Sequence, residues 1–308
     1  AIVSTLYYAF GGMKSVAYIS VLHTVVKYAG VMIVLWIALK LAGGFDQVHQ
    51  SLPAHYFTWD GAIGGSKVMA WIIGTVGAIF STQYIMQAIS TTKSPTAARN
   101  AALWAGLMCL PISIALGVIG VVSKYLHPDM DSLYALPVFL QSMSPWLAGV
   151  VTISLVASVF VGVSAVALAI TSLVVRDFYV PLRKPNAERE FRMTKVISLV
   201  VGFAPLVFVF AAPEILNLSF FTRALRLSIT VIALVAIYLP LFATGRGATW
   251  GLGAATVTTS VWYLMGNPYG IDNMYIALIT PAVVICIERL LPRSNKAANA
   301  SEVTNANS

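Results

Sequence analysis

Residues 147–175 read LAGVVTISLVASVFVGVSAVALAITSLVV, and Arg176-Asp177 closes them. The run holds 29 residues with no charge and no proline. A helix needs about 20 apolar residues to cross a hydrocarbon core, so this run is long enough to span a bilayer with a tilt. Runs of the same kind lie on both sides. Six single spans are predicted: Ala17 to Ala42, Val68 to Ser90, Ala102 to Val122, Leu147 to Val175, Val196 to Ala212 and Ile215 to Ala243. A closely spaced pair, Trp250 to Met265 and Met274 to Ile287, flanks a tight Gly-Asn-Pro-Tyr-Gly turn. The last span is short and is extended by counting on through Leu291, with Glu288 and Arg289 reaching back to the interface. The fold class is therefore all-α, a polytopic membrane helix bundle of eight spans.

The composition agrees with that class. The 308 residues are 58% hydrophobic and only 10% charged, where an average soluble domain has roughly 45–50% and about 25%. An ordinary soluble protein is excluded. The net charge of +8 does not point to nucleic acid, because there is no hydrophilic face on which the basic residues could cluster. Alternating the sides of the membrane sorts the basic residues instead. One side collects thirteen, from Lys14 through Lys93, Arg99, Arg176 and the run up to Lys195, to Arg246 and Lys296; the other collects Lys40, Lys67 and Lys124. Short cytoplasmic loops carry such an excess, which places the C-terminus in the cytoplasm and the chain in the plasma (inner) membrane. Lys27, Arg223 and Arg226 are left inside spans.

The two outer loops, 43–66 and 124–145, carry His49, His55, His127 and several aspartates without metal-ligand spacing, and are expected to be solvated. Cys109 and Cys286 lie in apolar runs, so buried thiols are expected and a disulfide is not. Residues 294–308 are polar and are expected to form a disordered cytoplasmic tail. The transporter domain is then 1–293. Ala1 to Phe10 has no charged region of a leader peptide, and resembles the end of a severed helix in a longer membrane protein.

Three stretches carry a family resemblance. Tyr7-Tyr8-Ala9-Phe10-Gly11-Gly12-Met13-Lys14-Ser15-Val16 resembles the Tyr-x-x-x-Gly-Gly-x-x-Ala-Val turn of the sodium:solute symporter family, with Ser15 for its Ala. Gln83-Tyr84-Ile85-Met86-Gln87, followed by Lys93 and by Ala98-Arg99, resembles the family's Asn-Gln-x-x-x-Gln-Arg … Lys … Ala-Arg signature, with Thr82 for the Asn and Ala88 for the Arg. Arg176-Asp177-Phe178-Tyr179 resembles the Arg-Asp-x-Tyr that closes the family's longest helix. The resemblance implies a LeuT-like fold, a five-plus-five inverted repeat with alternating access, in which a helix begins near Val16 and the first three helices are absent. It implies secondary active transport of a small organic solute through a lipid bilayer.

The same resemblance puts the coupling ion in question. The family's second sodium site takes hydroxyls from two adjacent residues that match Val161 and Gly162 here. Neither side chain offers the oxygen that a hard cation needs, although Ser164 and Ser158 lie on the same helix. An acidic residue of the fifth helix is replaced by Ser20. Lys27 stands at i+7 from Ser20, on the same helical face. Transporters of the same fold outside this family use a lysine there as a sodium substitute and are proton-coupled or sodium-independent. Sodium or a proton is thus the expected coupling ion, and no cofactor is expected. The alternative roles for Lys27 are an ion pair with a carboxylate on an absent helix, or a side chain that snorkels to the interface.

Arg223 and Arg226 share a face about 13 to 18 Å along the helix from Glu214. Charges at such depth are costly and usually face a cavity, and guanidinium forks suit carboxylates. An organic anion is the expected substrate; the competing readings are a gate pair with Glu214 or with a carboxylate on an absent helix, or a span that begins at Leu227 and leaves both arginines at the interface. Thr75, Thr82, Gln83 and Gln87 complete the pathway, with Gly74 and Gly77 expected to permit a break in the helix. Sugar is disfavoured, because Thr75 and Ala78 stand where sugar-carrying members place amide and aromatic groups. Pro111, Pro205 and Pro240 are expected to kink spans, and Trp104, Trp250 and Trp262 to anchor or pack. Enzyme chemistry is not expected, since His23 is the one His, Asp or Glu within a span and away from its ends. A sensory module would need a long cytoplasmic extension. A degenerate, nonfunctional or truncated carrier remains the second reading.

Overall fold

The computed structural model describes residues 2–61, 63–209 and 215–290, and the surroundings of all their side chains except those of 2–15, 208–209 and 215–217. The expected tail at 294–308 and Glu214 lie outside the described residues, in which there are helices and turns and no strand. The helices are α1 (Ile2–Leu41), α2 (Phe45–Ser51), α3 (Gly65–Phe80), α4 (Gln83–Ser90), α5 (Pro95–Leu126), α6 (Pro145–Leu173), α7 (Val180–Arg183), α8 (Ala187–Val209), α9 (Ile215–Tyr238), α10 (Gly245–Leu264) and α11 (Asn273–Leu290). A π-helical segment, Val174–Tyr179, joins α6 to α7. The chain divides into two compact units, one of residues 1–63 and 83–213 and the other of residues 64–82 and 214–308.

Local chemistry sets most of the ends. α1 stops where Gly43 takes φ +75°. Its amide donates to the Lys40 carbonyl and the Gly44 amide to that of Leu39, the paired bonds of a Schellman motif built on a left-handed glycine. Ser94 caps α5 by accepting from the Ala97 amide, with Pro95 in the first turn. Thr244 caps α10 in the same way through the Gly247 amide, and its hydroxyl donates to Glu288 Oε2 at 2.8 Å. Glu288 therefore ties α11 to α10. The turn at 266–270 holds Gly266, Asn267, Tyr269 and Gly270 all at positive φ, which makes α10 and α11 a tight helical hairpin.

Several expectations change. No turn forms at Gly11-Gly12, because α1 runs unbroken from Ile2 to Leu41; two helical glycines cost about 1 kcal/mol each and no proline stops the ladder. Among the described residues helices occupy each of the eight predicted spans, but five of them, or six with the interrupted α3–α4 pair, are long and apolar enough to cross a membrane. α8 falls short because Glu188 to Lys195 occupy its first third, and α10 because it is rich in Gly and Thr. α9 ends at Tyr238, so Pro240 starts a short 3₁₀ turn and does not kink a span. Cys109 and Cys286 are free but exposed, since their helix faces point outward. The outer loops fold partly into short helical segments, with Val48 and Phe139 fully buried and His49 packed on Phe57 at 4.5 Å.

The exterior of the helices is strongly apolar. α5 exposes Leu103, Leu107, Leu110 and Ile114, each more than half, a face that water would not tolerate and lipid would. Buried positions hold aliphatic residues such as Val34, Ile119 and Leu227 together with small and hydroxyl-bearing ones, among them Ser154, Ser164, Thr171, Ser228, Thr230 and Thr259. Lipid tails are as apolar as leucine, so helices in a bilayer associate through close packing and interhelical hydrogen bonds. In the first unit, a Cβ on Gly30 of α1 would sit 2.6 Å from Cβ of Ser154 on α6. In the second, Ser228 donates to the Ala277 carbonyl and Thr230 to that of Gly77.

Candidate functional site

In the second unit, α3 and α9 bring together four of the expected pathway residues. Arg223 Nη1 donates to Thr75 Oγ1 at 3.4 Å, a long bond. Arg226 Nη1 donates to Thr82 Oγ1 at 3.0 Å, and its Nε to the Thr222 carbonyl at 3.3 Å. Thr82 is buried, and its own hydroxyl donates to the Ala78 carbonyl. Ser81 also donates to the Arg226 carbonyl at 2.7 Å, which pins the end of α3 to α9. Both guanidinium groups are half-buried. Arg223 has no carboxylate partner among the described residues; Arg226 has a further partner besides these.

The break lies at Ser81–Thr82 and not at Gly74 or Gly77. Those glycines do a different job. A Cβ would lie 2.0 Å from Met274 Sδ at Gly74 and 2.2 Å from Leu227 Cδ1 at Gly77, so they are where α3 touches α11 and α9 most closely.

Gln83 belongs to the other unit. It lines an open pocket of about 460 Å³ of mixed polarity with Met86, Gln87, Ser172, Leu173, Arg176 and Asp177. The pocket joins two of the three sequence motifs, the Gln-x-x-x-Gln segment of α4 and the Arg-Asp pair in the π-helical turn after α6. Such π segments occur often at functional places.

The positions expected to take part in coupling lie on the α1–α6 pair of that unit. Val16 of α1 packs with Ala167 of α6, and Gly30 touches Ser154. Ser20, His23 and Lys27 fall on the same stripe of α1, at a hundred degrees per residue. Lys27 is half-buried and makes no hydrogen bond or ion pair among the described residues. Ser20 donates to the Val16 carbonyl of its own helix. On α6, Ser164 is fully buried and donates to the Phe160 carbonyl at 2.7 Å, Val161 is half-buried, and Gly162 is exposed. Gly162 opens onto an apolar groove with Val166, Ile170, Val201 and Pro205, which offers no oxygen to a cation.

From sequence alone, four further side chains had no place in the site. Among the described residues, His23 Nδ1 is buried without a partner. Lys67, Trp71 and Phe220 form a column that ends on Arg223. Lys67 Nζ lies 5.6 Å from the Trp71 ring centre, Trp71 stacks on Phe220 at 4.7 Å and 15°, and Phe220 lies 4.8 Å from the Arg223 guanidinium. The signal was present in the spacing, since Lys67 and Trp71 are four apart and Phe220 and Arg223 three apart.

Long apolar helices and a lipid-compatible exterior define a polytopic α-helical membrane protein. More narrowly, the chain belongs to the sodium:solute symporter family, whose model matches residues 1–254, from α1 into α10. No curated protein matches it. The family is one of solute transporters, so the chain is a membrane component of solute transport.

Proposed function

We propose that the protein carries a small organic anion, a monocarboxylate, by secondary active transport, with Arg223 as the cation that receives the carboxylate. The observation behind this is a guanidinium held half-buried two turns into a membrane helix by a hydroxyl and a ring, with no carboxylate beside it among the described residues. Five N–H donors sit on an arginine fork, and one is spent on Thr75. The others suit the two oxygens of a carboxylate. Thr75, Thr82 and Arg226 organise the same wall.

Coupling follows a different route from the family's sodium. The side chains of Val161 and Gly162 supply no ligating oxygen, Ser20 replaces a carboxylate, and Lys27 on the same stripe as Ser20 brings an ammonium group. Lys27 takes the place of the ion, and a proton or no ion at all is coupled to the solute. The expected setting is the plasma membrane with the C-terminus in the cytoplasm, which the thirteen-to-three division of basic residues supports.

Uptake of radiolabelled pyruvate and benzoate into proteoliposomes, with sodium and proton gradients collapsed separately, tests the reading. Arg223→Gln should lower uptake of both probes at least tenfold and Arg223→Lys less, because lysine keeps the charge and loses the fork. Wild-type uptake by Arg223→Gln refutes direct recognition.

A further inference from the structure

We infer that Lys67, Trp71 and Phe220 are parts of the anion path: Lys67 gathers the carboxylate at the outer end of α3, and the Trp71–Phe220 stack fixes the guanidinium of Arg223 that receives it. This rests on the reading of Arg223 as the substrate's cation.

The four side chains alternate cation, ring, ring, cation, and each is in contact with the next. Each ring carries a positive group over it, which is the arrangement the negative face of an aromatic ring favours. The inner faces meet nearly parallel, 15° apart. Both rings are half-buried against Ala70 and Ala224, whereas Lys67 at the head of α3 is exposed. The column thus runs from solvent at Lys67 to the half-buried Arg223.

Helix pairing alone does not require this. α3 and α9 are already joined by the bonds from Thr230 to the Gly77 carbonyl and from Ser81 to the Arg226 carbonyl, and by the contact of Gly77 with Leu227. What the column adds is direction. Phe220 covers one face of the planar guanidinium while Thr75 takes one Nη1 proton, so the remaining donors are held in one orientation before the solute arrives. A preoriented fork binds more tightly, because less freedom is lost on binding. Lys67 is one of the three basic residues that fall on the outer side, and an exposed ammonium attracts anions over roughly a Debye length, about 8 Å at physiological salt.

Phe220 and Trp71 are positioning residues, and Lys67 a capture residue. The test uses the full chain in proteoliposomes with pyruvate and benzoate as probes. Phe220→Leu should raise KM about three- to thirtyfold with kcat little changed, the loss expected of an ordinary to desolvated cation–π contact. Phe220→Tyr should keep the wild-type KM. Lys67→Gln should lower kcat/KM severalfold at low salt, and the difference should vanish at high salt. That exposed position does not depend on packing, so it reports even where Phe220→Leu does not fold. A wild-type KM in Phe220→Leu, or a Lys67→Gln profile with unchanged salt dependence, overturns the column while Arg223 stands. Wild-type KM values in Arg223→Gln overturn the underlying reading itself.

Discussion

Gly30→Ala tests the closest contact between α1 and α6. In a helix interior this substitution ordinarily stabilises by about 1 kcal/mol, since alanine loses less backbone entropy. Here the new Cβ would stand 1.8 Å from Ser154 Oγ and 2.6 Å from Ser154 Cβ. The hydroxyl could rotate away, at the loss of its 2.7 Å bond to the Val151 carbonyl, but Cβ is fixed to the backbone of α6. Ordinary contact needs roughly another 1 Å, so the helices must separate, and overpacking of this kind costs about 1–3 kcal/mol. The clash is expected to win. Thermal unfolding in detergent, followed by tryptophan emission, should show a fall of about 2–4 °C per kcal/mol for a unit of this size. The second position makes the reasoning specific. Ser154→Ala removes only Oγ and should leave most of the penalty, whereas Ser154→Gly removes Cβ and should restore stability to Gly30→Ala, with a coupling of about 1 kcal/mol or more in the double-mutant cycle. A midpoint for Gly30→Ala at or above the wild type, or equal rescue by Ser154→Ala, refutes the contact.

Lys27→Met should abolish the pH dependence of carboxylate uptake without introducing a sodium requirement; a pH profile that matches the wild type rejects the sodium-substitute role. Asn267 sits at φ +57° and accepts from the Asn273 amide through Oδ1 at 3.2 Å, so Asn267→Ala should destabilise the α10–α11 hairpin by about 1–2 kcal/mol, and Asn267→Gly by less, as read by thermal unfolding. A spin label on Cys109 should collide more with oxygen than with a water-soluble nickel chelate in bilayers, as an outward thiol on a lipid-facing helix requires; the reverse preference would contradict the exposed face of α5. Cysteines placed at Asp129 and at Glu190 should react with an impermeant maleimide from opposite compartments, and labelling of both from one side would undo the charge-derived topology.

Much of the site could be read in advance because its parts are covalent neighbours. Arg223 and Arg226 share a face by spacing alone, and so do Ser20 and Lys27. The threonines that meet the arginines could be named from the chain but not paired with them, since Thr75 and Arg223 are 148 residues apart. Gln83 shows the limit. It follows Thr82 directly in sequence, yet the chain passes from one compact unit to the other between them, and Gln83 ends beside Arg176 and Asp177. The glycines at 74 and 77 were read as a break because glycine weakens a helix; they are instead positions where a neighbouring helix comes too close for a side chain. Glycine serves both ends, and only the neighbour tells which.

The order of residues determined what water and lipid act on one segment at a time: where the apolar runs lie, which loops are basic, where caps and left-handed glycines stop a helix, and which charges are committed to the membrane. The fold decided what depends on partners far along the chain: that Ser154 faces Gly30, that Cys109 looks outward, and that Lys67, Trp71, Phe220 and Arg223 stack into one column. Hydropathy is a property of a segment and survives any packing. A contact belongs to two segments at once, and no pattern within either of them specifies it.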